Sequence, residues 1–253
     1  MNESYVTYEI KNSIGVIEFF TPQHNSLPAK ILTQLAETIT AAGKDANSKV
    51  LILKSGGNKT FCAGASFDEL LLIENEKEGL QFFTGFANVI NAMRECPKFI
   101  IGRIQGKAIG GGVGLASSCD YCFATNQADI KLSELAVGIG PFVVGPAVER
   151  KIGNTATYEL TIDGSNFRSA QWAKQKGLYA EVFENIELMD EAIHQLATTL
   201  SNSSSEAMQE IKKVFWQGTE NWNELLLQRA AISGRLILSD FSKKFLTEFK
   251  KKK

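Results

Sequence analysis

The sequence is short of the residues that staple a chain, bind metals or give it a charge of one sign. Its 253 residues include four cysteines and two histidines. Four cysteines at this length do not make a disulfide scaffold. His24 and His194 have no Ser, Cys or metal-ligand companion at telling spacing, so neither a zinc site nor a nucleophilic triad is expected. Cys119 and Cys122 do form a C-x-x-C, but it follows a small-residue helix and runs into "DYCFAT" instead of opening a helix. With Cys62 and Cys96 they read as buried small residues. Lys and Arg number 27 against 28 Asp and Glu, a formal charge of -1. No basic field exists to gather nucleic acid or an anionic membrane, and an anionic ligand must be caught locally. No apolar run approaches bilayer length, and "MNESYVTYEI" lacks the basic, apolar and small-residue regions of a secretory signal; a cytoplasmic protein is expected.

What is present suits a well-filled core, with 44% hydrophobic and 22% charged residues. "YVTYEI" and "IGVIEFF" flank the turn "KNS" and predict an antiparallel hairpin. "AKILTQLAETITAAGKD" places Ile31, Leu32, Leu35 and Ile39 at helical spacing, and "KVLILKSGG" is a short apolar strand closed by a glycine turn. The alternation recurs through "EGLQFFTGFANVINAMREC", "KFIIGRIQG", "DYCFAT" and "ADIKL", predicting a wound α/β layer structure. After "SAQWAKQKG" strand signals nearly vanish, and three helical periods follow. The expected organisation is an α/β core over residues 1–195 and a helical region over 196–253. The basic end, "KKFLTEFKKKK", reads as a solvated terminus.

Two helix starts stand out. In "FCAGASFDEL", Ser66 with Glu69 forms a capping box that predicts a helix just after Ala65. Gly64 permits a sharp turn, and Ala65 offers an unencumbered N–H near the helix start. In "KAIGGGVGLASSCD", Gly110, Gly111 and Gly112 keep side chains away from the backbone ahead of a small-residue helix, whose first amides carry the positive end of its dipole. Two such amides converging on one carbonyl oxygen would make an oxyanion hole. Close helix packing is the simpler explanation of such glycines, and neither segment is specific alone.

Together, "FCAGASFDEL" and "IQGKAIGGGVGLASSCD" resemble the two signature segments of the enoyl-CoA hydratase/isomerase (crotonase) family, and the resemblance continues through "HNSL", "ADIKLSELAVGIGP" and "SAQWAKQKGLYAEVF". It implies a crotonase-like α/β spiral of repeated β-β-α units with a carboxyl-terminal helical region for trimerisation, giving a homotrimer or homohexamer. It implies an acyl-CoA thioester as substrate, no cofactor beyond that coenzyme A, and no metal. The thioester oxygen would sit between the amides of Ala65 and Gly111. The rest of the ligand would run along Asn25, Ser26, Leu27, Cys62, Ala63, Gly64 and Ser66, with Gly110, Gly112, Gly114, Pro141 and Phe142 also contacting it. The acyl pocket would be lined by the helix from Glu78 to Met93, the "PFVV" wall and the carboxyl-terminal helices.

The departures from the family pattern carry the functional reading. Hydratases of the family hold a glutamate where this chain has Gly114, whereas the second family glutamate is kept as Glu134. Hydration wants an acid and a base, while moving a double bond from C3 to C2 needs one base that returns its proton. In place of a glycine-rich loop the chain has "GIGPFVVGPAVERKIG", whose Pro141, Phe142, Val143 and Val144 make an apolar wall expected to exclude water and raise the pKa of Glu134. The expected function is therefore single-glutamate enoyl-CoA isomerisation. The alternatives are a hydratase, for instance of a branched methylglutaconyl type, with a different second acid, and a catalytically silent acyl-CoA-binding subunit. Asp120 is expected to bond internally, Asp68 and Glu69 to stabilise a helix start, and Arg103 to meet either a phosphate or an internal acid.

Overall fold

A computed structural model describes residues 3–251. Strands β1 (Tyr5–Lys11) and β2 (Ile14–Phe20) form the expected hairpin, with Lys11 opposite Ile14. The two linking residues, Asn12 and Ser13, have φ of 53° and 60°, the turn whose twist matches that of paired strands.

From there each turn of the chain places one strand in each of two sheets. Strands β3 (Val50–Ser55), β5 (Ile100–Ile104), β7 (Tyr121–Thr125) and β9 (Glu181–Phe183) extend the hairpin into a six-stranded sheet ordered β1-β2-β3-β5-β7-β9. Strands β4 (Thr60–Cys62), β6 (Lys107–Ile109) and β8 (Ile130–Lys131) make a three-stranded sheet ordered β4-β6-β8. Every pairing after the hairpin is parallel. This is the predicted spiral of β-β-α units. Strands β4 and β6 are three residues each, too short for alternation to betray them in the sequence.

Helix α1 (Ala29–Lys44) buries Ile31, Leu32, Leu35 and Ile39 against this spiral. Helices α2 (Phe67–Leu72), α3 (Glu76–Glu95) and α4 (Gly111–Ser118) follow β4 and β6, and every residue of α4 is buried. A 3-10 turn (Glu134–Val137) follows β8, and α5 (Gly145–Ile162) and α6 (Ala170–Gln175) lead to β9. Helix α7 (Ile186–Ser201) lies on the outer face of the large sheet, where Met189, Ile193 and Ala197 meet Ile14, Val50, Ile52 and Ile101. The boundary expected at 195/196 falls inside this helix. Arg103 pairs with Asp190 of α7 in a two-pronged contact, Nε to Oδ1 at 2.5 Å and Nη2 to Oδ2 at 2.9 Å, so of its two expected partners the acid is the one found.

Helices α8 (Ser205–Phe215), α9 (Trp222–Leu236) and α10 (Asp240–Lys251) complete the described chain. Asp120 anchors them. Its carboxylate accepts from the Ile100 N–H (2.7 Å), the Lys212 Nζ (2.8 Å) and the Trp216 Nε1 (3.0 Å). Lys212 is buried and also donates to the carbonyls of Met93 and Lys98, as a buried ammonium must. Helices α3 and α9 cross backbone to backbone: a methyl added at Gly79 would lie 2.6 Å from Gly234 Cα. The basic end belongs to α10, where Leu246 is 1% exposed and Lys243 bonds the Ile73 carbonyl, while Lys244, Lys250 and Lys251 are exposed, as a solvated terminus requires. Its apolar residues recur at helical spacing, Leu246 buried, Phe245 partly buried and Phe249 exposed; residues 252 and 253 lie outside the described chain. No helix among the described residues is long and apolar enough to cross a membrane.

Candidate active site

The carboxyl ends of three adjacent strands meet at one place, where parallel sheets commonly bind ligands. Ala65 follows β4, Gly111 follows β6 and Glu134 follows β8. Gly110 ties two of these ends together, its N–H donating to the Lys131 carbonyl at 2.8 Å.

Ala65 forms a parallel bridge with Leu27. The Leu27 N–H donates to the Gly64 carbonyl (2.7 Å) and the Ser66 N–H donates to the Leu27 carbonyl (3.1 Å). A parallel bridge uses the groups on either side of Ala65 and turns its own N–H the other way. Gly64 makes this possible, with φ of 83° and no room for a side chain: a methyl there would lie 2.9 Å from Ile109 O and 3.3 Å from Gly111 N. Gly111 opens α4, so its N–H has no acceptor within the helix. The two amides therefore stand at adjoining backbones, each at the head of a helix.

Ser66 caps α2 by accepting from the Glu69 N–H at 3.5 Å. The return half of the expected capping box is absent, because the Ser66 N–H is engaged by Leu27. Glu69 instead accepts from the Ala29 N–H at 2.7 Å, at the start of α1.

The Glu134 carboxyl packs on Gly110, where a methyl would come within 3.0 Å of Oε1. Part of the residue reaches the surface, yet Oε2 is buried and has no hydrogen-bond partner among the described residues. Burial pushes its pKa up to about 7, and the residue's own N–H pulls weakly the other way. The carboxyl is poised between its two protonation states near neutral pH, as a proton-transfer group should be. At the position of the missing second acid, a methyl on Gly114 would lie 2.5 Å from Val144 Cγ1. The space that a carboxylate stem would need is filled by valine.

An inner cavity of about 60 Å³ is lined by eight of the expected residues: Ala63, Gly64, Ala65, Gly110, Gly111, Glu134, Pro141 and Phe142. Val143 and Val144 join them, and Glu134 is its sole acid. A wider outer cavity of about 370 Å³ shares Ala63 and Ala65 with it and adds Ser26 and His24. The other expected residues shape the walls from behind. Asn25 bonds Thr21, Gly56 and Thr60, Leu27 and Cys62 are fully buried, and a methyl on Gly112 would collide with Cys62 O at 2.4 Å.

The expected lining from the 78–93 helix and the carboxyl-terminal helices is found, and α2 adds to it. Phe67, Leu70, Phe83 and Phe86 line the inner cavity from α2 and α3, Ser233 reaches it from α9, and Phe245 and Phe249 line the outer cavity from α10. Their only signal in the sequence is helical periodicity, which marks a buried face without saying that a cavity lies beneath it. Lys131 also borders the outer cavity, and it and Lys107 lie 4.5 and 4.7 Å from the centre of the Phe167 ring.

The family model described as enoyl-CoA hydratase/isomerase matches residues 9–253. Bacillus subtilis YngF, which bears an enoyl-CoA hydratase/isomerase name, is 30% identical over 220 residues, 85% of this chain and 83% of that protein. Mouse mitochondrial methylglutaconyl-CoA hydratase is 30% identical over 200 residues, 78% of this chain and 63% of that protein. The crystal structure of an enoyl-CoA hydratase from Bacillus halodurans superposes with a TM-score of 0.89 at 25% identity, covering 97% of this chain and all of that one.

Proposed function

We propose, from the premise that this chain belongs to the enoyl-CoA hydratase/isomerase family, that it isomerises a 3-enoyl-CoA to the conjugated 2-enoyl-CoA with Glu134 as its one proton-transfer group. The observation that carries this reading is the filled position beside Gly114: one carboxylate faces the inner cavity, and Val144 stands where a second would be.

The chemistry follows from that set. The thioester oxygen accepts from the Ala65 and Gly111 N–H groups, which raises the acidity of C2. Glu134 as carboxylate removes a C2 proton, the electron pair delocalises into the thioester as a dienolate, and the two amides stabilise its oxyanion. The same carboxyl returns the proton to C4, leaving the double bond between C2 and C3. The proton ends where it is needed and no water is consumed. Hydration would require a bound, activated water together with a proton for C2, and the lining offers no second acid for that division of labour. A distal carboxylate, such as a methylglutaconyl group carries, would find no cation in the inner cavity.

The test is spectroscopic. Supplied with a 3-enoyl-CoA, the protein should generate conjugated 2-enoyl absorbance, and Glu134→Gln should slow this by about 10² to 10⁴ with thioester affinity nearly unchanged. Rapid loss of absorbance from a 2-enoyl-CoA would show a hydratase instead. Binding of both esters without turnover of either would show a silent acyl-CoA binder.

A further inference from the structure

We infer that the inner cavity selects a short, straight, apolar acyl chain, and that the crossing of α3 and α9 beside Phe83 and Ser233 sets its limit. This rests on the acyl-CoA reading above and adds the substrate class to it. A single water already needs about 10–15 Å³, so about 60 Å³ leaves room for only a short chain. Leu70, Phe83, Phe86, Ile139 and Val144 give the chain apolar walls, and beside Glu134 the polar side chains are the hydroxyls of Ser133 and Ser233.

The side of the cavity formed by α3 and α9 is not adjustable. Phe83 is one turn along α3 from Gly79, and Ser233 neighbours Gly234 on α9. At these two glycines the helices touch directly, with 2.6 Å between an added Gly79 methyl and Gly234 Cα. No layer of side chains lies between the two backbones there that could rotate aside to lengthen the cavity. Phe86 is held from the other side, because a methyl on Gly111 would lie 2.2 Å from its ring. A longer chain must therefore displace a helix or leave carbons outside.

Calorimetric titration with saturated acyl-CoA esters tests this without turnover. Affinity should rise by up to about fourfold per added CH₂ from acetyl to butyryl or hexanoyl, then fall at least tenfold by decanoyl. Phe83→Ala should move the optimum up by about two carbons, and Phe83→Leu offers a milder opening should the alanine variant fold poorly. Affinity that climbs steadily to decanoyl, or ignores chain length, overturns the inference and leaves the isomerase reading intact. Failure of every ester to bind overturns the acyl-CoA reading, and this inference with it.

Discussion

The inner and outer cavities meet at Ala63, Ala65, Phe67, Ser133 and Val137, yet they differ in size and in the charges that border them. The inner one is small and apolar and holds one acid whose ionisation is displaced by burial. The outer one is wide, bordered by Lys131 and Asp68 and roofed by two phenylalanines of the last helix. The difference teaches a division of labour. A narrow, mostly apolar space strengthens electrostatic stabilisation of a developing oxyanion, whereas a wider one bordered by charged side chains can recognise a long polar ligand without perturbing the chemistry. Changes in the inner cavity should act on kcat, and changes in the outer one on KM.

The largest expected break comes at Gly64, where the two cavities adjoin. Its φ of 83° and the 2.9 Å approach of an added methyl to Ile109 O leave Gly64→Ala no unstrained conformation. Relief would shift the Ala65 N–H. Loss of one oxyanion donor costs about 10² to 10³ in kcat, so this variant should lose that much isomerisation while binding a saturated ester nearly as well. A drop in affinity with kcat preserved would show that Gly64 serves recognition, and the proposed division would fail there.

The pH profile gives a smaller effect with a definite sign. Glu134 must be ionised to act as base, so with its pKa at about 7 kcat/KM should rise about tenfold per unit below pH 7 and level off above it. Stability runs the other way. The folded-state value lies above the ordinary 4.5, so the native state holds this proton more tightly than the unfolded chain does. The associated stability is complete below about pH 4.5 and is lost as pH rises through about 7. It amounts to something on the order of 3 kcal/mol. Denaturant titrations of the parent and of Glu134→Gln at pH 5 and pH 8 should show the parent losing more stability across that interval. Parallel losses would place the carboxyl in water.

The same contrast explains what the sequence disclosed. The inner site's backbone donors are local, Gly64 and Ala65 before one helix and Gly110 and Gly111 before another, whereas Glu134 in "LSEL" is legible only through the family resemblance. Hairpin, alternating α/β layers and helical third follow from periodicity, which is local too, whereas the spiral follows from the family resemblance. What brings Ala65, Gly111 and Glu134 together is the order β4-β6-β8, and strands this short leave no periodic trace. Phe83, Phe86 and Ser233 belong to the cavity through helix crossings far apart in the chain. Val144 was legible as part of an apolar wall, but its occupation of the space beside Gly114 is a fact of packing. The tail is legible in part: its lysines read as solvated, and Lys244, Lys250 and Lys251 are, but the helical spacing of Phe245, Leu246 and Phe249 does not say that α10 brings Phe245 and Phe249 to the outer cavity.

The mildest prediction tests the outer cavity. Lys131 and Lys107 share the Phe167 ring at 4.5 and 4.7 Å, and neither forms an ion pair among the described residues. Burial, with Lys107 nearby, holds the Lys131 ammonium below its ordinary range, so a phosphate would relieve this charge as well as bind it. Because the contact is partly exposed, its worth is that of a surface pair. Lys131→Ala should raise KM for a coenzyme A ester about two- to fivefold, less at high salt, with kcat unchanged. A pantetheine thioester that lacks the nucleotide should not distinguish the variant from the parent. If it does, Lys131 acts on the inner chemistry, and the boundary between the two cavities must be drawn further out.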